Sequence, residues 1–249
     1  NTKNHWIMVT EAALDDTYCA THVKSDKSGL YTVVFAAKEE VAIPDDPEPM
    51  SQLPWASPWR VIIIGDQLAD IIETSIIQNL NPPSVIEDTD WIKPGRAAFS
   101  WWSDQPSTYD YEEQIKYIDF AADMGWEYIL IDAGWHKMTD NELDYIMAYA
   151  QYKEVGVWLW YKSGLAEEDR PNTFWDVMSD PQRRKEQYDK IAKWGVKGIK
   201  FDFFDSDKQG VIELYKEFLE EAMERKLMVT FHGCTLPRGW ERTYPNLMT

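Results

Sequence analysis

Only two cysteines occur in 249 residues, Cys19 and Cys234, far apart and with no metal-ligand spacing around either, so no disulfide framework is indicated. Histidine is nearly as scarce. His5, His22, His136 and His232 form no His-x-His or H-E-x-x-H pattern, which leaves a zinc hydrolase little support and keeps only oxygen-ligand metals open. No run of roughly 18 apolar residues appears, and the polar start NTKNHW lacks the charged-then-apolar layout of a signal peptide. Basic charge is also short: 25 Lys and Arg stand against 43 Asp and Glu, a net −18. That balance argues against a nucleic-acid phosphate backbone or an anionic membrane as partner, and leaves a neutral small substrate untouched. Neither G-x-G-x-x-G after the first strand nor G-x-x-x-x-G-K-[ST] anywhere is present, so the phosphate-cradling folds lose their usual signature.

Aromatic residues are abundant instead, with 13 Trp, 13 Tyr and 9 Phe. Most of these rings belong to a core. The surplus offers flat apolar faces on which the C–H side of a sugar ring can stack.

Two styles of sequence follow one another. Up to about Lys38, HWIMVTEAAL and GLYTVVFAA are short apolar, β-branched runs bounded by turn signals. Residues 39–58 carry Pro44, Pro47, Pro49, Pro54 and Pro58 among acids and read as a loop. WRVIIIG then resembles a strand, and DQLADIIETSIIQNL a single helix that stops before Pro82 and Pro83. From about Gly95 short apolar strands alternate with amphipathic helices: RAAFSWW, YILIDAGW, GVWLWY, GIKFDFF and MVTFHG are the strands, and the intervening helices carry caps such as Asp180 with Pro181 behind it. Strands joined by crossover helices run parallel. Because polar residues gather at many strand ends rather than at one switch point, the expected fold is a (β/α)8 barrel rather than a doubly wound sheet, with five strands and the start of a sixth present. The expected division is 1–92 for the end of a β-rich unit plus linker and helix, and 93–249 for the first five to six βα units.

The strand ends hold the candidate chemistry. Alternation along GIKFDFF places Lys200, Asp202 and Phe204 on one face and Phe201 and Phe203 on the other. A Lys and an Asp inside a barrel are expected to pair, and the ammonium favours an ionised Asp202, the form a nucleophile requires. A purely structural salt bridge satisfies the same pattern. Asp132, before Ala-Gly-Trp, suits either hydroxyl binding or turn formation, and His232 closes VTFHG at an equivalent height. Trp102, Trp135 and Trp160 are candidates for a sugar platform, each equally at home in a core. Arg238 and Arg242 are expected to organise the loop after the fifth strand. Lys200 as a Schiff-base lysine with Asp202 as its acid/base, and a carbohydrate-binding unit without turnover, remain the alternatives.

The ordered pieces SWWSD, YILIDAGW, GVWLWYKSG, DFFDSDKQ and HGCTLPRGWERTYPN resemble the catalytic barrel of glycoside hydrolase family 97, and IMVTEAAL resembles the end of that family's amino-terminal β-sandwich. The resemblance implies a retaining exo-acting α-glycoside hydrolase of α-galactosidase type. Asp202 takes the nucleophile's position, and Asp132, Lys200, His232, Trp102, Trp135 and Trp160 hold the sugar. In the inverting branch, base glutamates follow the third strand and the His of the fifth; Ser163-Gly164 and Gly233 stand there in this chain. A retaining pair of carboxyls needs a separation of only about 5–5.5 Å. The resemblance further implies a general acid/base Glu beyond Thr249, a calcium ion with Glu11 among its ligands, a neutral oligosaccharide substrate and a periplasmic or secreted location. It leaves the oligomeric state open. Lys162 departs from the Asn of the family pattern.

Overall fold

The computed structural model describes residues 5–40, 46–164 and 174–249. Positions 1–4, 41–45 (with Pro44 of the proline-rich loop) and 165–173 lie outside the described residues.

The first part is built of two small antiparallel sheets. Strand β1 (Trp6–Ala12) pairs with β4 (Trp59–Gly65), and β2 (His22–Ser25) pairs with β3 (Tyr31–Val34). In the β1–β4 register Val9 faces Ile62 and Ile7 faces Ile64, so four exposed apolar side chains form one stripe on a single face. The proline-rich loop carries no regular element within 46–58. Where one helix was expected over DQLADIIETSIIQNL there are two short ones, α1 (Leu68–Ile72) and α2 (Ile76–Asn79). Between them the Thr74 hydroxyl accepts from the Ile76 amide, a local bond that competes with the helical ladder.

The second part is a five-stranded parallel sheet in sequential order: β5 (Ala97–Phe99), β6 (Tyr128–Ile131), β7 (Gly156–Lys162), β8 (Gly198–Asp202) and β9 (Met228–Phe231). Leu247 forms a parallel bridge to Val229, the start of a sixth strand. Helices α3 (Tyr111–Asp123), α4 (Asp140–Tyr152), α5 (Pro181–Lys193) and α6 (Gln209–Met223) connect the strands. Their starts follow the sequence signals: the Asp110 side chain accepts from the Glu112 and Glu113 amides, Thr139 and Glu142 form a capping box, and Asp180 accepts from the Arg183 amide. A last short helix, α7 (Trp240–Thr243), follows β9. The core lies between sheet and helices, with Phe201, Tyr188, Phe218 and Ile199 fully buried. Arg184 of α5 crosses it to Glu217 and Glu221 of α6. Side-by-side parallel strands with crossover helices are an incomplete (β/α)8 barrel, whose rim is the carboxyl ends of the strands.

Two ionic joints fix the first part on this rim. Glu11 of β1 is buried and receives Arg60, its cross-strand neighbour, together with the Arg238 Nε at 2.9 Å and the Thr21 hydroxyl at 2.5 Å. Arg238 in turn donates to Thr235 Oγ1 and the Leu236 carbonyl, which organises the loop after β9, while Arg242 binds Asn79. The second joint holds the segment after β8: the Ala20 amide donates to the Asp207 carbonyl, the Asp207 amide to Glu40, and Lys208 Nζ to the carbonyls of Lys38 and Glu40. Replacing Glu11 by Ala leaves the Arg238 guanidinium buried without its partner. The expected loss is about 3 kcal/mol or more, read from the denaturant midpoint of the full-length protein.

Candidate active site

Strand alternation brings Lys200 and Asp202 to the inner face of β8, and the ladder between β7 and β8 sets Trp160 opposite Lys200 and Lys162 opposite Asp202. The hydrogen bonding continues past the strand ends, with the Ser163 amide donating to the Asp202 carbonyl and the His232 amide to the Phe201 carbonyl. The tips of β7, β8 and β9 are thereby held at one height.

Lys200 is the electrostatic centre. Its Nζ lies 2.8 Å from Asp132 Oδ2 and 3.7 Å from Asp202 Oδ2, and 5.1 Å from the centroid of the Phe99 ring. The expected pairing with Asp202 is therefore secondary to a shorter bond with Asp132. Asp132 also accepts from the Ala133 amide at 2.8 Å, so it serves its own turn and the ion pair together.

Every oxygen of Asp202 is engaged. Oδ1 accepts from the Phe203 amide at 2.8 Å and lies 2.9 Å from His232 Nδ1; Oδ2 accepts from the Trp160 indole at 3.2 Å. The Asp202 side chain keeps 9 % of its surface open, at the edge where the His232 ring is 68 % exposed. A carboxylate fixed by donors on both oxygens, with a cation nearby and an outlet toward solvent, is set up as an oriented anion.

The three candidate tryptophans part company. Trp160 is buried in this network. Trp135 lies behind the sheet: its indole donates to the Trp160 carbonyl at 2.7 Å, and its ring packs on Tyr161, Phe174 and Trp194. Trp102 is 84 % exposed in the turn after β5, outside the contacts that join the other candidates.

Two rings that the sequence pattern did not assign stand here instead. Phe99 covers Lys200. Phe203 was expected to share a face with Phe201 and Phe204 to join Asp202, but β8 ends at Asp202 and Phe203 adopts a left-handed φ of 62°. This reverses the alternation: Phe204 is buried against Tyr215 and Phe231, and Phe203 turns outward at the rim. For a bulky L residue that conformation costs roughly 1–2 kcal/mol. The Asp202 carboxylate and the Ser163 hydroxyl, which donates to the Phe203 carbonyl at 2.7 Å, hold it in place.

Two glycines shape the remaining space. A Cβ on Gly233 (φ 55°) would sit 3.1 Å from Asp202 Oδ1, and one on Gly164 (φ 82°) would sit 2.3 Å from the Ser179 amide nitrogen. Neither position admits a side chain without moving its neighbours.

Both Glu11 oxygens are committed to protein donors rather than open to a calcium ion, whose further ligands the resemblance places beyond Thr249. The carboxylate is filled by two guanidinium groups and Thr21, and among the described residues no cluster of His, Cys, Asp or Glu could hold a metal ion. Cys19 and Cys234 are free. Beside the site, partial loss of solvent around an otherwise exposed Cys234, together with the negative charges of Asp202 and Asp207, pushes its thiol up to about 11.

A parallel-strand scaffold with charged and aromatic residues at its carboxyl rim defines a (β/α)-barrel enzyme architecture, and comparison with known proteins makes this specific. Residues 90–249 match the profile of Glycoside hydrolase 97, and residues 1–83 that of Glycosyl-hydrolase 97 N-terminal. The chain belongs to glycoside hydrolase family 97. A protein of Streptomyces bingchenggensis described as "Probable retaining alpha-galactosidase" is 30% identical over 100% of this chain and 38% of its own length. The "Retaining alpha-galactosidase" of Bacteroides thetaiotaomicron is 31% identical over 77% of this chain and 29% of its own. A crystal structure of a beta-arabinopyranosidase superposes with TM-score 0.88 at 37% identity, covering 98% of this chain and 39% of that one. A family 97 enzyme from Pseudoalteromonas sp. strain K8, in complex with acarbose, shares the fold at 20% identity and TM-score 0.75, over 99% of this chain and 42% of that one. The chain thus spans well under half the length of these relatives. Among the described residues no helix is long and apolar enough to cross a membrane.

The raised Cys234 thiol gives a direct check on the site's electrostatics. Alkylation by iodoacetamide at neutral pH should run about a hundredfold slower than for an ordinary exposed thiol and accelerate as pH rises toward 11, followed by mass spectrometry of the Cys234 peptide. Replacing Asp202 by Asn should raise the neutral-pH rate.

Proposed function

We propose that the full-length protein is a retaining, exo-acting α-glycoside hydrolase for a galactose-configured pyranose, with Asp202 as nucleophile. The observation that carries this reading is the geometry around Asp202: an oriented carboxylate at the end of the fourth parallel strand, beside a glycine, Gly233, where an inverting enzyme has its base glutamate and where a side chain would crowd the carboxylate. Gly164 closes the other place where such a base would stand.

In the first displacement an Asp202 oxygen bonds the anomeric carbon while the glycosidic C–O bond breaks through an oxocarbenium-like transition state, and the departing oxygen takes a proton from the acid/base expected beyond Thr249. Water, deprotonated by the same group, then attacks the anomeric carbon of the glycosyl ester and frees Asp202. Two inversions retain the configuration. The Trp160 indole and the Phe203 amide keep the carboxylate aimed, and Lys200, Asp132 and His232 supply polar groups for sugar hydroxyls.

The relatives taken together support the sugar class. A β-L-arabinopyranoside has the ring stereochemistry of an α-D-galactopyranoside without the exocyclic CH2OH, so one pocket built for an axial 4-hydroxyl serves both. We assign the present protein to that pair, with the galactoside favoured by the two curated relatives. Polysaccharide use at the cell envelope or in the periplasm goes with this reading. The pairing of Lys200 with Asp132 supports a role in binding over one as a Schiff-base amine.

Proton NMR of the first product from an aryl α-galactoside should show the α anomer; a β product refutes retention. Asp202→Ala should lower kcat by roughly 10,000-fold or more, with azide restoring turnover as a β-galactosyl azide. Sugar binding without turnover by the wild type would make the protein a carbohydrate-binding unit instead.

A further inference from the structure

The geometry points to Phe203 as a sugar-stacking residue of this site, its ring receiving the apolar C–H face of the pyranose whose anomeric carbon meets Asp202. This rests on the glycosidase reading and adds a contact to it.

Three observations converge on this ring. Regular alternation along β8 would bury Phe203 toward the helices, yet the chain leaves the strand there in a left-handed conformation and 47 % of the residue stays open to solvent. The turn is fixed at both ends, by the Phe203 amide on Asp202 Oδ1 and by the Ser163 hydroxyl on the Phe203 carbonyl. Backbone strain tied directly to a candidate nucleophile, with an apolar ring exposed as the result, points to use of the ring rather than to its packing. The surroundings suit a sugar. The edge of Trp160 meets the ring at 80° with centroids 6.4 Å apart, and the Lys162 Nζ stands 5.9 Å from its centroid. An aromatic face bordered by a charged donor matches a pyranose of galactose configuration, whose axial 4-hydroxyl gathers the C3, C4 and C5 hydrogens on one side and leaves the hydroxyls to the rim. Stacking of this kind acts on ground state and transition state alike, so it appears in KM more than in kcat.

The test uses the full-length enzyme with Phe203→Ala, Phe203→Gly and Phe203→Trp. If the ring binds sugar, Ala and Gly both raise KM for an aryl α-galactoside, and the inhibition constant of free galactose, by about tenfold with kcat within about threefold of wild type; Trp restores both. Thermal unfolding of the Ala variant is compared with wild type to confirm an intact fold. An active wild type whose KM and galactose inhibition constant change less than twofold in the Ala and Gly variants overturns the proposal and leaves the glycosidase reading standing. A fall in kcat alone that differs between Ala and Gly also overturns it, because it assigns the residue to holding the backbone. A wild type inert toward every galactoside and arabinopyranoside tested removes the underlying reading, and this contact with it.

Discussion

The ammonium of Lys200 is the constraint on which the site depends. Two carboxylates approach it in a region nearly closed to water, Asp132 at 2.8 Å from the end of β6 and Asp202 at 3.7 Å from its own strand β8, with β7 between the two strands. Without the cation, both carboxylates would lose a shared donor in a buried region, where an unpaired charged group is costly. With it, both remain fixed groups of known direction, and the ring of Phe99 shields the assembly on a further side. The remaining donors on Asp202, from Trp160, Phe203 and His232, refine an arrangement that Lys200 makes possible.

The amino-terminal strands extend this control. The segment from Phe203 to Gln209 is not stabilised by the barrel alone: Ala20, His22, Glu40 and Asp16 bind it at Asp207, Lys208 and Gln209. Arg238 does the same for the loop that follows His232. Both walls beside Asp202 are thus anchored to residues outside the barrel, and the DFFDSDKQ motif is a docking segment as well as the carrier of Asp202.

Much of this was legible in the sequence because it rests on short-range rules. The cap at Asp180 with Pro181 behind it marked a helix start, and the strand-helix alternation gave a parallel sheet whose carboxyl ends hold Asp132, Lys200, Asp202 and His232. What was hidden depends on geometry that no periodicity carries. Period-two alternation fails at Phe203 because the backbone turns left-handed there, and no local residue type announces it. Trp135 follows Asp132 closely, yet it belongs to the layer behind β7, where the left-handed turn at Gly134 directs the chain. Phe99 has no signal beyond membership of an apolar strand; only the closeness of the Lys200 ammonium gives it meaning. For Glu11 the family resemblance implied a calcium ligand, and the two arginines that bind it are 49 and 227 residues distant along the chain.

The left-handed Gly233 ties the loop after β9 to the site. A Cβ at this spot would press on the Asp202 oxygen at 3.1 Å, so any larger residue there and the direction of that carboxylate are coupled. A substitution at Gly233 would therefore be felt first as a turning of the Asp202 side chain, and only then as a change in the loop that Gly233 begins.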